Sequence, residues 1–258
     1  MKKILVVLLA LVLALAMVAC GDNGDAKDTE TNAGTDTTLD TTVDTAADTE
    51  GGDVAAVMSY ADYMAAELDA PVVIEAYVQA KQSWWDNKAT IYTQDQDGAY
   101  FIYEMVCSEE DYAKLVPGTK IRVNGFKTAW EGEVEIASGA TFEIIEGADT
   151  YVAEPVDLTE VLGTEELINY QNQLASFKGM TVEAVEFKNG EPGDDIYVTL
   201  GLGGASYSFC VEFYLTGTDT EVYQTVSALE VGNVVDVEGF VYWYQGVNPH
   251  ITAVTVVG

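Results

Sequence analysis

Aromatic and acidic side chains dominate the chemistry open to this chain. Trp84, Trp85, Tyr92, Tyr100, Tyr103 and Trp130 form one group, and Tyr197, Tyr207, Tyr242, Trp243 and Tyr244 form another. Exposed rings stack on flat partners such as sugars or bases, although aromatic residues also favour strands for packing reasons alone. Trp84-Trp85 escapes that simpler account, because adjacent side chains on an extended segment point to opposite faces and only one can enter a core.

Other constellations carry less. Thr93-Gln94-Asp95-Gln96-Asp97-Gly98, with Glu104 beyond, has acids at the third and fifth positions of a calcium loop, glycine at the sixth and Glu at the twelfth. The first position is Thr93 where Asp is needed, and the flanks read as strands rather than helices. Asp97-Gly98 therefore reads as a hairpin turn, leaving calcium on Asp95, Asp97 and Glu104 as a weak candidate cofactor. His250 is the single histidine and Arg122 the single arginine, so no paired-imidazole or arginine-and-carboxylate hydrolytic site can be assembled. Cys107 and Cys210 read as buried thiols. These absences argue against an enzyme. Lys120 and Arg122 share one strand face, with Lys127 nearby, and are expected to balance acids such as Glu131, Glu133 and Glu135.

The elements that must position these residues are repeated. Leu115 to Gly132 recurs as Leu229 to Gly246, with Gly118/Gly232, Val123/Val237, Gly125/Gly239, Phe126/Phe240 and Gly132/Gly246 matching at a single offset of 114 residues. Ile121/Val235 and Trp130/Tyr244 are similar pairs. In the first unit, strands are expected over 72–81, 89–93 and 99–107. Ser108 then caps a helix to Leu115, followed by strands over 120–130 and 133–145. The second unit predicts a helix from Thr164 to Ala175, strands over 178–187, 196–200 and 207–215, a helix from Thr218 to Leu229, and strands over 234–244 and 251–257.

Three strands, a helix and two strands is the order of the OB-fold, a five-stranded Greek-key barrel. The expectation is mainly β structure with short helices: two tandem OB-like barrels over 54–150 and 151–258. OB barrels bind oligonucleotides or oligosaccharides on the face of strands two and three, beside the 1–2 and 4–5 loops. That resemblance selects Trp84, Trp85, Tyr92, Tyr100, Trp130, Tyr242 and Tyr244 as the candidate ligand-binding set.

The chain carries 43 acidic against 11 basic residues, a formal charge of −32 over 258 residues. Such a field opposes nucleic acid, whose affinity comes mainly from Lys and Arg on phosphates, and three cysteines are too few for a disulfide framework. Residues 1–20 read as a signal peptide: Lys2-Lys3, then an apolar run from Ile4 to Val18. Its end, Met17-Val18-Ala19-Cys20, resembles the lipobox of bacterial lipoproteins, which implies lipidation of Cys20 and anchorage outside the cytoplasmic membrane. Residues 21–53 are Thr, Asp, Gly and Ala with little to bury, the composition of a disordered acidic tether. Residues 54–258 resemble extracytoplasmic lipoproteins of Gram-positive, gut-type bacteria that carry one or two OB-like domains, a group without an established activity. The expected role is a non-catalytic binding module for an oligosaccharide or cell-wall glycan. The alternatives are a protein-interaction scaffold of a surface complex and a weak calcium-dependent binding module.

Overall fold

The computed structural model describes residues 56–258, all within one compact unit. The expected leader, the Cys20 lipid site and the whole of the tether over 21–53 lie outside the described residues.

The first barrel opens with helix α1 (Tyr60–Ala65), capped where the Ser59 hydroxyl accepts from the Asp62 N–H at 3.1 Å. Strands β1 (Pro71–Lys81), β2 (Lys88–Gln94) and β3 (Ala99–Val106) follow, then helix α2 (Glu109–Lys114), β4 (Lys120–Trp130) and β5 (Glu133–Ile136). Pairing in the order β1-β2-β3-β5-β4 and back to β1 closes the ring. Ile74, Ala76, Val78, Ile91, Ile102, Ile121, Val123 and Ile136 fill its interior, with Tyr63 and Leu115 packed in the same core. The expected fifth strand over 133–145 is two strands: the chain turns at Gly139 (φ +90°), and β6 (Thr141–Ile144) folds back onto β4.

The second unit begins with the short β7 (Val156–Asp157) and a 3₁₀ turn over Glu165–Tyr170. The helix expected through Ala175 stops there because Asn172 takes a left-handed conformation (φ +66°). The following residues join β8 (Leu174–Phe187), whose start pairs Leu174 with Phe240 and Ala175 with Gly239. Strand pairing outweighs the helical periodicity of this segment. Next come β9 (Ile196–Leu202), β10 (Ala205–Val211), the single-turn helix α3 (Phe213–Thr216), α4 (Glu221–Ser227), β11 (Val234–Phe240) and β12 (His250–Val256). The ring β8-β9-β10-β12-β11 also closes. The expected third strand ends at Val211 because the Glu212 carboxylate accepts from the Tyr214 and Leu215 N–H groups and turns the chain into α3. Thr220, not Thr218, caps α4.

The repeat glycines are explained by geometry. Gly118 and Gly232 hold left-handed turns before β4 and β11 (φ +88° and +96°), where a Cβ strains the backbone. A Cβ on Gly239 would collide with the His250 carbonyl of β12, and one on Gly125 with Ile136 of β5. In both rings the last strand crosses the glycine of its neighbour.

A third apolar cluster, separate from the two barrel cores, joins them: Tyr92, Phe101 and Phe240, with Leu174, Leu215 and Tyr242 against them. Tyr92 lies flat on Phe240, ring centroids 4.1 Å apart. The Gln94 carboxamide accepts from the Leu174 N–H, and the Gln171 side chain bridges the Val134 N–H and the Gly132 carbonyl.

Candidate ligand-binding site

Strand alternation normally leaves one face of β2 to solvent. Here both faces are buried: Ala89 and Ile91 point into the first barrel, while Thr90, Tyr92 and Gln94 are buried on the other side. Phe240 of β11, His250 of β12, Leu174 of β8 and Tyr242 cover Tyr92 and Gln94 from the second barrel, while Thr90 faces the cleft and accepts from the Glu104 N–H. Beyond this seal the surfaces diverge and leave a cleft of about 770 Å³, within the ordinary range of small-molecule sites. Thr90, Phe101, Tyr103 and Glu135 line one wall; Tyr197, Glu212, Tyr214, Tyr242 and His250 line the other. The strand two and three faces of the two barrels thus open into one cleft.

Three tight turns carry its exposed rings. Asp86 and Asn87 both have positive φ (+48° and +58°), and the Lys88 N–H donates to the Trp85 carbonyl at 2.9 Å. This two-residue turn suits Asp and Asn. It sets Trp85 on the cleft, 66% exposed, while the Trp84 indole N–H donates to the Cys107 carbonyl at 2.9 Å and pins the loop. Glu131-Gly132 makes a second turn with positive φ (+50° and +100°), leaving Trp130 exposed at the end of β4. Gln245-Gly246, its repeat equivalent, does the same beside Tyr244.

The strand bearing Tyr103 is bulged. Ile91 pairs with Ile102, but Ala89 pairs with Met105, so Tyr103 and Glu104 of β3 together face the single residue Thr90 of β2. Glu104 takes φ +45° there, held by Lys88 at 2.8 Å, the Ser138 hydroxyl at 3.1 Å and its own N–H on Thr90 Oγ1. Bulges re-aim side chains in this way, and this one turns both Tyr103 and Glu104 to the cleft.

Of the candidate set, Trp85, Trp130, Tyr242 and Tyr244 therefore line the cleft. Three others do not. Trp84 is a half-buried anchor. Tyr100 lies in the first core between Tyr60 and Tyr63, edge-on to both rings. Tyr92 is sealed between the barrels, its hydroxyl 2.9 Å from His250 Nδ1. Burial holds the Tyr92 phenol far above its ordinary range and drops the His250 imidazole to about 3, so both stay neutral. The calcium candidates are separated: Asp95 accepts from the Asp97 and Gly98 N–H groups in the turn, and Glu104 is occupied at the bulge. Among the described residues no three acidic, His or Cys groups are placed to hold a metal.

Lys120 and Arg122 do pair with acids, but with Glu75 of β1 and Glu143 of β6 rather than with Glu131, Glu133 or Glu135. β1 lies against β4 along its whole first half and offers the nearer carboxylate. Lys127 turns inward and donates to the Met64 and Ala66 carbonyls at the end of α1.

The acids released from that expectation matter at the interface. Glu133 is fully buried, accepts from the Trp243 N–H at 2.8 Å and is pushed up to about 9, chiefly by burial. Burial likewise raises Glu135 and Glu212 to about 7. Phe101, Tyr214, Glu135, Glu212 and His250 were outside the candidate set. The alternation Phe101-Ile102-Tyr103 was a readable signal for Phe101; nothing local marked the others, which reach the cleft through packing of one barrel on the other.

No family model matches the chain, and no curated protein matches it. Solved structures do. One is asparaginyl-tRNA synthetase from Pyrococcus horikoshii complexed with asparaginyl-adenylate, 18% identical with TM-score 0.27; the match covers 33% of this chain and only 19% of the synthetase. A murine DNA binding protein bound with double-stranded DNA is 10% identical over 73% of this chain and 96% of its own, with TM-score 0.36. A replication protein A heterotrimer bound to single-stranded DNA is 15% identical over 70% and 50%, with TM-score 0.29. Likeness at this level assigns no ligand or activity to this chain. It does correct the expectation against nucleic acid, since DNA-bound proteins stand among the similar structures. Net charge is a count over the whole molecule, whereas stacking on a local aromatic face tolerates any flat partner.

Proposed function

We propose that this protein is a non-catalytic binding module that holds an oligosaccharide, such as a cell-wall glycan, in the cleft between its barrels. The observation that carries this reading is the convergence of exposed Trp85, Trp130 and Tyr244 on one cleft already walled by Tyr103, Tyr197, Tyr214 and Tyr242. Sugar rings pack their C–H faces on such platforms, and the hydroxyls find Asn248, Glu135 and Ser83 at the walls. With the leader removed and Cys20 lipidated, residues 21–53 would hold the two-barrel unit off the outer face of the cytoplasmic membrane. The role is binding without turnover.

The test is a thermal-unfolding and calorimetric screen of the full chain against cell-wall fragments, soluble oligosaccharides and single-stranded DNA. A ligand at 100 times its Kd adds about 2.7 kcal/mol to stability. Stabilisation by a glycan that Trp85→Ala and Trp130→Ala abolish is the expected result. Stabilisation by the oligonucleotide alone, or by none of them, overturns the reading, the second outcome favouring a protein partner.

A further inference from the structure

We propose that the cleft selects oligosaccharides bearing free amines, with the Glu135 carboxylate as their counter-charge and the surrounding rings as their walls. This assignment deepens the glycan reading above and rests on it.

Glu135 carries the argument. It sits in β5 between Phe101 of β3 and Thr128 of β4, is 7% exposed, and lines the cleft. Its carboxylate takes part in no hydrogen bond or ion pair among the described residues. Buried carboxylates are ordinarily partnered, and the other acids of this cleft are. Glu104 has Lys88 and Ser138. Asp195 has Lys188 and the Phe213 N–H. Glu212 has two N–H groups of α3. Glu135 alone is left facing the cavity.

The charge of the cleft points the same way. Lys88 is the single Lys or Arg lining it, and its ammonium is taken up by Glu104 at 2.8 Å. Three further carboxylates, Glu135, Asp195 and Glu212, and several ring faces remain, and an ammonium within about 6 Å of an aromatic centroid is attracted by the ring quadrupole. A neutral sugar would gain the stacking and its hydroxyl contacts, with no charge pair. A sugar with an ammonium group would gain the stacking and the Glu135 pair.

Other cations fit less well. A bare divalent ion wants about six oxygen ligands, and among the described residues Glu135 belongs to no group of three acidic, His or Cys side chains placed to hold a metal. A peptide bearing lysine would seek an unpaired strand edge, whereas β2, β3, β9 and β10 are each paired on both sides.

The experiment is calorimetric titration of the full chain at neutral pH with equal-length oligomers of glucosamine, N-acetylglucosamine and glucose. The glucosamine oligomer is expected to bind about tenfold tighter than the others, the size of one hydrogen bond to a charged group. Glu135→Gln should bring the affinity for the glucosamine oligomer down to that for the neutral oligomers measured on the same variant. Chemical N-acetylation of the same glucosamine oligomer should remove it too, which keeps the test decisive if the variant does not fold. Equal binding of all three oligomers, or a preference that survives in Glu135→Gln, overturns this assignment while the glycan reading stands. Binding of none of them overturns both. Binding of spermidine with no oligomer overturns the sugar reading and this assignment with it.

Discussion

Gln245 donates its backbone N–H to the carbonyl of Glu131 at 2.7 Å, so two residues at the same position of the repeat are bonded to each other. The turn that ends the fourth strand of one barrel is thereby tied to its own counterpart in the other. Trp130 and Tyr244, one position before each turn, come to the same cleft for that reason.

These exposed rings should matter to ligand far more than to folding. Trp85→Ala, Trp130→Ala and Tyr244→Ala are each expected to weaken glycan binding by about 1–3 kcal/mol, the cost of losing one stacking platform. Stability should move by no more than about 0.5 kcal/mol. Trp84→Ala should behave oppositely, lowering the unfolding midpoint through loss of the Cys107 anchor. Calorimetry and denaturant unfolding on the same four variants separate the two patterns.

Phe240→Ala should cost about 3–5 kcal/mol, as for other buried Phe truncations, because Phe240 is 2% exposed and stacked on Tyr92. The loss falls between the barrels and not within either core, so the single unfolding transition should split into two. Denaturant melts read by tryptophan fluorescence and by far-ultraviolet dichroism would then cease to coincide. Coincident transitions in the variant would mean that the third cluster is not what couples the barrels.

Glu133 should make stability fall with rising pH. Its folded-state value is raised from 4.5 to about 9, so folding takes up a proton between those values. The stabilisation is complete below about 4.5 and is lost as pH rises through about 9, with a slope of up to about 1.4 kcal/mol per pH unit. Glu135 and Glu212 add to the decline in the wild type. They cancel when Glu133→Gln is compared with it, and the variant should gain on the wild type steadily across that window. Parallel pH profiles would contradict the assignment of a proton to Glu133.

Asp95→Ala should destabilise the protein by about 1 kcal/mol, because the carboxylate accepts two backbone N–H groups in the β2–β3 turn. Calcium should leave the unfolding temperature of both proteins unchanged. A calcium-induced rise that the variant loses would restore the metal reading of that loop.

Much of the architecture was legible before any tertiary information. Local signals specify the elements: β-branched runs from Val72 and Ile121 for strands, the capping Ser108 for the helix after them, and the Asp97-Gly98 turn. The errors fall where local preference met long-range pairing. Leu174 and Ala175 carry helical spacing yet pair with Phe240 and Gly239. Glu133 to Ile145 reads as one strand yet breaks at Gly139 so that β6 can reach β4.

The site divides along the same line. Trp85, Trp130 and Tyr244 flank turns whose Asp, Asn and Gly residues suit positive φ, so their exposure follows from chain-local stereochemistry. Tyr92 and Tyr100 are equally aromatic and equally strand-borne, and nothing within a few residues tells either of them from a ligand platform.

The amino-acid order alone was enough to settle the repeat and the barrel class, because strand periodicity, turn residues and capping act over short distances. The docking of one barrel on the other settled the rest. It buried Tyr92 against Phe240, left Glu135 without a partner and gathered rings from residues 85 to 244 around one cleft. Burial and desolvation depend on which surfaces meet, and residues more than a hundred positions apart meet only in the folded molecule.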